Sequence, residues 1–333
     1  MTARETFATS EAVELAFIDR SGFIESRHGG SAVVVGPGGQ VIRSLGNPEA
    51  PIIPRSCLKP FQAVAVAEAL ASAGVELTPL QTVLSTASHA GTPEHVAVVR
   101  SILDRAGLTP DALQCPHDWP GDSGSRDGLV RAGSSRASVY MNCSGKHAAM
   151  LLTCVANGWP TETYLELGHP LQQRIRSTIE NLTGESVAAT AVDGCGAPVH
   201  AISLVGLARG IGRITSSTDG SAQYLTDSVL ANGWAIDGPG RANTVCIDEL
   251  GVFSKLGAEG VMVMAAPDGT TVALKMLDGS LRAASLVGLT LLVSAGALAQ
   301  ADVDRVLPAL DLTVYGGTEP VGAIQVSSAV IAA

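Results

Sequence analysis

The feature that most constrains the fold is a β-hairpin late in the chain. Gly260-Val-Met-Val-Met-Ala-Ala runs into Pro267-Asp-Gly and leaves through Thr270-Thr-Val-Ala-Leu-Lys-Met-Leu277. Two apolar runs joined by a tight-turn tripeptide form a hairpin because Pro, Asp and Gly supply the turn geometry that neither flank can. A second hairpin is encoded near the start. Ala12 to Ile18 reads as a strand, and Ser31 to Val35 follows, with Gly36-Pro-Gly-Gly39 turning into Gln40-Val-Ile42. Between these ends the chain reads mostly as helix, and more helix follows the late hairpin. That order suits an α/β (α+β) protein in which strands from both ends build one antiparallel sheet around an inserted helical lobe. The expected organisation is one domain, 1–333, with a sheet lobe at about 10–55 and 240–333 and a helical lobe at about 56–239.

Within the helical lobe the patterns predict helices over 58–73, from a Thr92 cap to Ala106, from a Ser144 cap to Asn157, and over 170–182, 199–209 and 222–232. Thr82 to Thr86 reads as a short buried strand. Residues 109–138, rich in Pro, Gly, Ser and Asp, read as a long loop, and loops of that length are more often functional than idle. Ala283 to Ala299 carries no charge but is rich in Ala, Gly and Ser, and reads as a buried helix rather than a membrane span.

Charge narrows the function. A net charge of −10 and a pI near 5.1, with no basic stripe, argue against a nucleic-acid partner. The first residues lack the apolar core and cleavage pattern of a signal peptide, so a cytoplasmic location without membrane association is expected. Six widely spaced cysteines in a chain of 333 residues favour free thiols or metal ligands over a disulfide framework.

Reactive side chains gather at element boundaries, where scaffolds present chemistry. The first group is Ser56-x-x-Lys59 at the mouth of the 58–73 helix. Three residues along a helix is nearly one turn, so the two share a face. A desolvated lysine can take the proton of a serine and make it a nucleophile, although this spacing alone is common. The second is the polar run Ser85-Thr-Ala-Ser88-His89-Ala-Gly91, whose hydroxyls could shuttle a proton, hold a substrate, or simply shape a turn.

The third group pairs Cys143-Ser-Gly-Lys146-His147 with Asp193-Gly-Cys195-Gly-Ala-Pro198. Thiolates at 143 and 195 with a nitrogen donor would suit Zn²⁺, but no Cys-x-x-Cys or His-x-x-x-His is present, and from the residues alone two buried thiols are the better reading. The fourth is Lys255-Leu-Gly257, where an ammonium at a strand edge could stabilise an anion or merely mark a turn. His117 is a candidate lid residue in the long loop, His169 a candidate helix cap, and His28 and His200 read as structural or surface groups.

Taken together, Arg55-Ser-Cys-Leu-Lys-Pro-Phe-Gln62, Ser88-His-Ala-Gly91, Asn142-Cys-Ser-Gly-Lys-His147, Asp193-Gly-Cys-Gly-Ala-Pro198 and Lys255-Leu-Gly-Ala-Glu-Gly260 resemble, in this order, the asparaginase II family of thermolabile, Rhizobium etli-type L-asparaginases. Arg20-Ser-Gly-Phe-Ile-Glu-Ser-Arg-His28-Gly-Gly-Ser is similar too, so the resemblance covers nearly the whole chain. It implies a fold like the serine β-lactamases and glutaminases, and hydrolysis of L-asparagine. It implies Ser56 as nucleophile with Lys59 as base, Ser88 and Lys255 as a second Ser–Lys pair, and Zn²⁺ on Cys143, Lys146 and Cys195. Arg55, His89, His147 and Asp193 fall on the substrate side, and a homodimer is implied.

Two positions depart from the family pattern. The long loop reads Cys115-Pro-His117-Asp-Trp-Pro120 where Cys-Gly-x-His-x-Pro is usual, and Ala149 replaces a glycine. The other readings open at this stage are a glutaminase or another Ser–Lys acyl hydrolase on the same scaffold, and a non-catalytic zinc or amino-acid binding module.

Overall fold

Strands from the two ends of the chain meet side by side in one sheet. In the computed structural model, which describes residues 5–331, β1 (Val13–Arg20), β2 (Phe23–Val35) and β3 (Val41–Leu45) come from the N-terminal part. From the C-terminal part come β7 (Phe253–Gly257), β8 (Val261–Ala265), β9 (Thr271–Met276), β10 (Thr313–Gly316) and β11 (Glu319–Val326). The sheet runs β10-β11-β1-β2-β9-β8-β7, with β3 also on β2, and its pairings are antiparallel. The seam is β2 on β9, where Ala32 lies opposite Leu274 and Val33 opposite Ala273. The sequence reading of residues 1–4 and 332–333 falls outside the described part.

Both faces of the seam are covered, which explains why its strands are apolar without alternation. Val33, Val35, Val263 and Ala273 pack into one core with the helices, while Ala32, Val34, Met262 and Leu274 pack into a second core on the opposite face. The first core takes in α1 (Lys59–Ser72), α2 (Pro79–Thr86), α3 (Pro93–Arg105), α5 (Ser144–Asn157), α6 (Pro170–Thr183), α7 (Leu204–Thr215) and α8 (Gly220–Ala231). The short α4 (Ser123–Arg131) lies outside it. The second core takes in α9 (Ala242–Leu250) and α10 (Ala284–Ser294), the apolar run read as a buried helix. Among the described residues no helix is long and apolar enough to cross a membrane.

Four local readings are corrected. Thr82–Thr86 is the end of α2, not a strand. Thr78 caps this helix by accepting from the Gln81 N–H, Pro79 opens it, and the Gln81 side chain completes a capping box. Pro198–Ser203 is strand β6, and the helix expected over 199–209 begins only at Leu204, where Ser203 caps it. β6 joins β4 (Pro51–Ile52) and β5 (Ala189–Val192) in a separate three-stranded sheet, which places β5 and β6 as strands inside the span read as helical. The long loop is not structureless, since α4 forms within it on an Asp122 cap. Ser144 lies inside α5, and Cys143 stands at the cap position without a side-chain cap bond.

Candidate active site

Ser56 lies in a 3-10 turn, Arg55–Leu58, immediately before α1, one step short of the helix that its motif predicted. Arg55 has φ of 52°, which costs a side-chain-bearing residue about 1 kcal/mol and must be imposed by its surroundings. They are close at hand. Arg55 Nε donates to Asp193 Oδ1 at 2.6 Å, and the Cys57 thiol donates to the Lys255 carbonyl at 3.1 Å. Gly257 lets β7 approach this turn, because a Cβ there would lie 2.5 Å from the Pro54 carbonyl oxygen. The Ser56 turn is thus docked on the strand that carries Lys255. Ser56 itself is half-buried, and among the described residues no hydrogen bond occupies its hydroxyl.

Ser88 follows α2 and is held by its N–H on the Ile236 carbonyl at 2.9 Å. Its hydroxyl is the meeting point of two buried lysines. Lys59 Nζ lies 3.0 Å from Ser88 Oγ and donates to the Ala87 carbonyl at 2.5 Å, and Lys255 Nζ lies 2.8 Å from Ser88 Oγ and donates to the Leu256 carbonyl at 2.9 Å. Lys59 therefore rests on Ser88 rather than on Ser56. Burial, and then the neighbouring charge of Lys59, bring the Lys255 ammonium down to about 8, against the opposing pull of Cys57, Asp237 and Cys143.

The thiol cluster lies at the start of α5. Gly145 brings this helix against α2, since a Cβ there would lie 2.4 Å from the Leu84 carbonyl oxygen. Cys143, Lys146 and Cys195 are buried, with Lys146 Nζ 3.2 Å from Cys195 Sγ. The neighbouring Cys143 thiol, with Lys146 and His147, outweighs burial and pulls the Cys195 thiol far below its ordinary range. Cys143, whose thiol donates to Asn142 Oδ1 at 3.1 Å, is pushed up by Cys195 and by burial. Burial would lower the Lys146 ammonium, but Cys195, Cys143 and Asp193 together raise it. Two sulfurs and an amine could hold a soft divalent metal once Lys146 gives up its proton. Among the described residues no three His, Cys, Asp or Glu side chains meet in such a way, so a metal here would require the lysine.

The four residues expected on the substrate side divide. Arg55 and Asp193 form one ion pair that links the Ser56 turn to the Cys195 loop, and Asp193 also accepts from the Gly194 N–H. His89 has both nitrogens engaged, Nδ1 accepting from the Gly91 N–H and Nε2 bonded to Ser144 Oγ at 3.0 Å, so it braces its loop. His147 is fully buried, with Nδ1 2.6 Å from the Tyr164 hydroxyl. That hydroxyl already accepts the Gln114 N–H, so its proton goes to Nδ1 and the imidazole carries its own proton on Nε2, which has no hydrogen-bond partner among the described residues. His117 is exposed in its loop, His169 caps α6, and His28 and His200 bond Asp278 and Thr190.

The arrangement offers groups that acyl transfer can use: a serine whose hydroxyl makes no hydrogen bond among the described residues, and a second hydroxyl between two amines. The sequence profile of the L-asparaginase II family matches residues 16–326. The chain belongs to the L-asparaginase II family. As a member of that family it is an amidohydrolase. Comparison with curated protein sequences finds no match. Among solved structures, it is similar to a β-lactamase from Mycobacterium bovis, with 16% identity, a TM-score of 0.45, and 85% of this chain and 95% of that one covered. It is similar also to a probable glutaminase from Bacillus subtilis complexed with 6-diazo-5-oxo-L-norleucine, with 13% identity, a TM-score of 0.38 and coverage of 80% and 82%. These likenesses are loose, and the reading of this asparaginase II family member rests on its family and its own residues.

Sequence reasoning missed Tyr164, Gln114 and Asp237. Tyr164 and Gln114 carried no motif signal. Asp237 lies in Asp237-Gly-Pro-Gly-Arg241, a turn-like run that gave no sign of burial.

Proposed function

We propose that this protein hydrolyses L-asparagine to L-aspartate and ammonia through an ester on Ser56. The observation that carries this reading is the Ser88 hydroxyl shared by two buried lysines, one of them Lys59 of Ser56-x-x-Lys59. Two ammonium groups on one oxygen repel, so one proton between two amines is the favoured state. Lys59, neutral, takes the Ser56 proton as that oxygen attacks the side-chain amide carbon. Backbone N–H groups, that of Ser56 among them, receive the oxyanion. Lys255, protonated, passes a proton through Ser88 to the departing ammonia. Water then attacks the β-aspartyl ester as the relay runs in reverse, which frees aspartate and restores Ser56.

Cys143, Lys146 and Cys195 would hold Zn²⁺, whose Lewis acidity would anchor the amino and carboxylate ends of the amino acid. Arg55 and Asp193 then orient that end against the Ser56 turn, with His147 behind the thiols. We read the working form as a cytoplasmic homodimer on family resemblance, to be checked by sedimentation. The function itself is tested by ammonia release from L-asparagine and L-glutamine by the wild type and Ser56→Ala. Asparagine turnover that vanishes with the hydroxyl is expected; preference for glutamine would make the protein a glutaminase, and no turnover of either would favour a binding module.

A further inference from the structure

One buried carboxylate near the two lysines has no part in the steps above. Asp237 is 8% exposed and lies on the segment whose Ile236 carbonyl accepts the Ser88 N–H. Its Oδ2 accepts from Asn243 Nδ2 at 3.1 Å, and Asn243 Oδ1 accepts from Ser254 Oγ at 3.2 Å, one residue before Lys255. Its Oδ1 faces Arg241 at 3.4 Å, and Arg241 also donates to the Gly121 carbonyl at 2.8 Å. The turn is seated tightly, with a Cβ at Gly238 reaching to 3.0 Å from Ala90 Cβ and the Gly238 carbonyl accepting from Thr244 Oγ1 at 2.8 Å. This segment therefore holds the backbone of Ser88 on one side and, through Asn243, the Ser254 hydroxyl next to Lys255 on the other.

A buried carboxylate is costly unless it serves a neighbouring cation. We propose that Asp237 is a positioning residue of the Ser–Lys centre, a fixed counter-charge that keeps the proton on Lys255 and so directs Lys59 to act as the base. The groups that bear on Lys255 are Lys59 from α1, Cys57 from the Ser56 turn, Cys143 at the mouth of α5 and Asp237 from this segment. Lys59 favours loss of the Lys255 proton, while Asp237, Cys57 and Cys143 favour its retention. Asp237 is the carboxylate of this set, raised by burial and held down by Lys255, Arg241 and Asn243. Arg241, on the far side of Asp237 and partly exposed, tempers it.

The inference rests on the Ser–Lys reading in taking Lys255 as the acid, and its test therefore reads the lysine directly. Lysine labelled with ¹³C at Cε is titrated by NMR in the full-length protein, with the Lys255 signal assigned by its loss in Lys255→Met. In Asp237→Asn the Lys255 midpoint moves to lower pH by roughly one pH unit, the size a nearby opposite charge exerts, and in Arg241→Gln it moves the other way by less. The alkaline limb of the pH–rate profile follows in the same order. A midpoint unmoved in both variants overturns the proposal, and if Asp237→Asn fails to fold, an unmoved midpoint in Arg241→Gln overturns it alone. Midpoints that move as stated in a protein without amidase turnover would support Asp237 as the counter-charge and remove the asparaginase reading instead.

Discussion

The same side chain does opposite things in two neighbouring parts of this protein. Lys255, buried against Ser88 and another lysine, is brought down to about 8, whereas Lys146, just as buried, is raised because thiols and a carboxylate surround it. Burial acts in the same direction on both. Their neighbours decide the outcome, and with it the chemistry: a lysine that gives up its proton near neutral pH suits proton transfer, while one that keeps it must be stripped before it can bind a metal.

The first way to break this comparison is to remove the amines. Lys59→Met and Lys255→Met are each expected to lower kcat by about 10²- to 10⁴-fold while the fold persists, as circular dichroism would check. A small loss at Lys255 with a large one at Lys59 would dissolve the shared-proton arrangement. Metal removal probes the other region. Dialysis against a chelator should raise KM more than it lowers kcat, because the thiol cluster is assigned to substrate positioning; steady-state kinetics showing the reverse would place the metal in the chemical step.

The pH dependence distinguishes the two lysines by sign. An acid that must hold its proton loses function as pH rises through its pKa, so kcat should decline above about pH 8 as the Lys255 ammonium deprotonates. A rate that climbs through that range would make Lys255 the base. The scaffold contributes through a smaller effect. Gly257→Ala forces a methyl against the Pro54 carbonyl and should cost about 1–3 kcal/mol in thermal or denaturant unfolding, with kcat reduced as the Ser56 turn shifts. Smallest of all, Tyr164→Phe removes the proton donor to His147 Nδ1 and should lower metal affinity by about 10-fold, read by competition with a chromophoric chelator.

The parts of the site that were legible in the sequence are those whose chemistry depends on residue type at fixed local spacing. Ser56-x-x-Lys59, Ser88, Cys143-x-x-Lys146, Cys195 and Lys255 announced themselves as reactive groups at element boundaries, and the hairpin punctuation at Pro267-Asp-Gly marked the β8–β9 pair of the sheet. Long-range geometry was not legible. Nothing local reveals that Lys59 rests on Ser88 instead of Ser56, since that depends on how α2 ends against α1. The Thr82–Thr86 error arose because a run of buried residues in a helix looks like a buried strand until the Thr78-Pro79-x-Gln81 capping pattern is weighed. β6 was hidden similarly, its Pro198-Val-His-Ala-Ile stretch merging with the helix that follows. Tyr164, Gln114 and Asp237 act through partners far away in the chain.

The most direct test of the account is to trap the covalent intermediate. Protein mixed with L-asparagine is quenched in acid during turnover, digested, and mapped by mass spectrometry, with Ser56→Ala alongside. A β-aspartyl group on the peptide carrying Ser56, absent from the variant, is the predicted result. The same group on the peptide carrying Ser88 would contradict the assignment of the nucleophile and with it the division of labour between the two lysines.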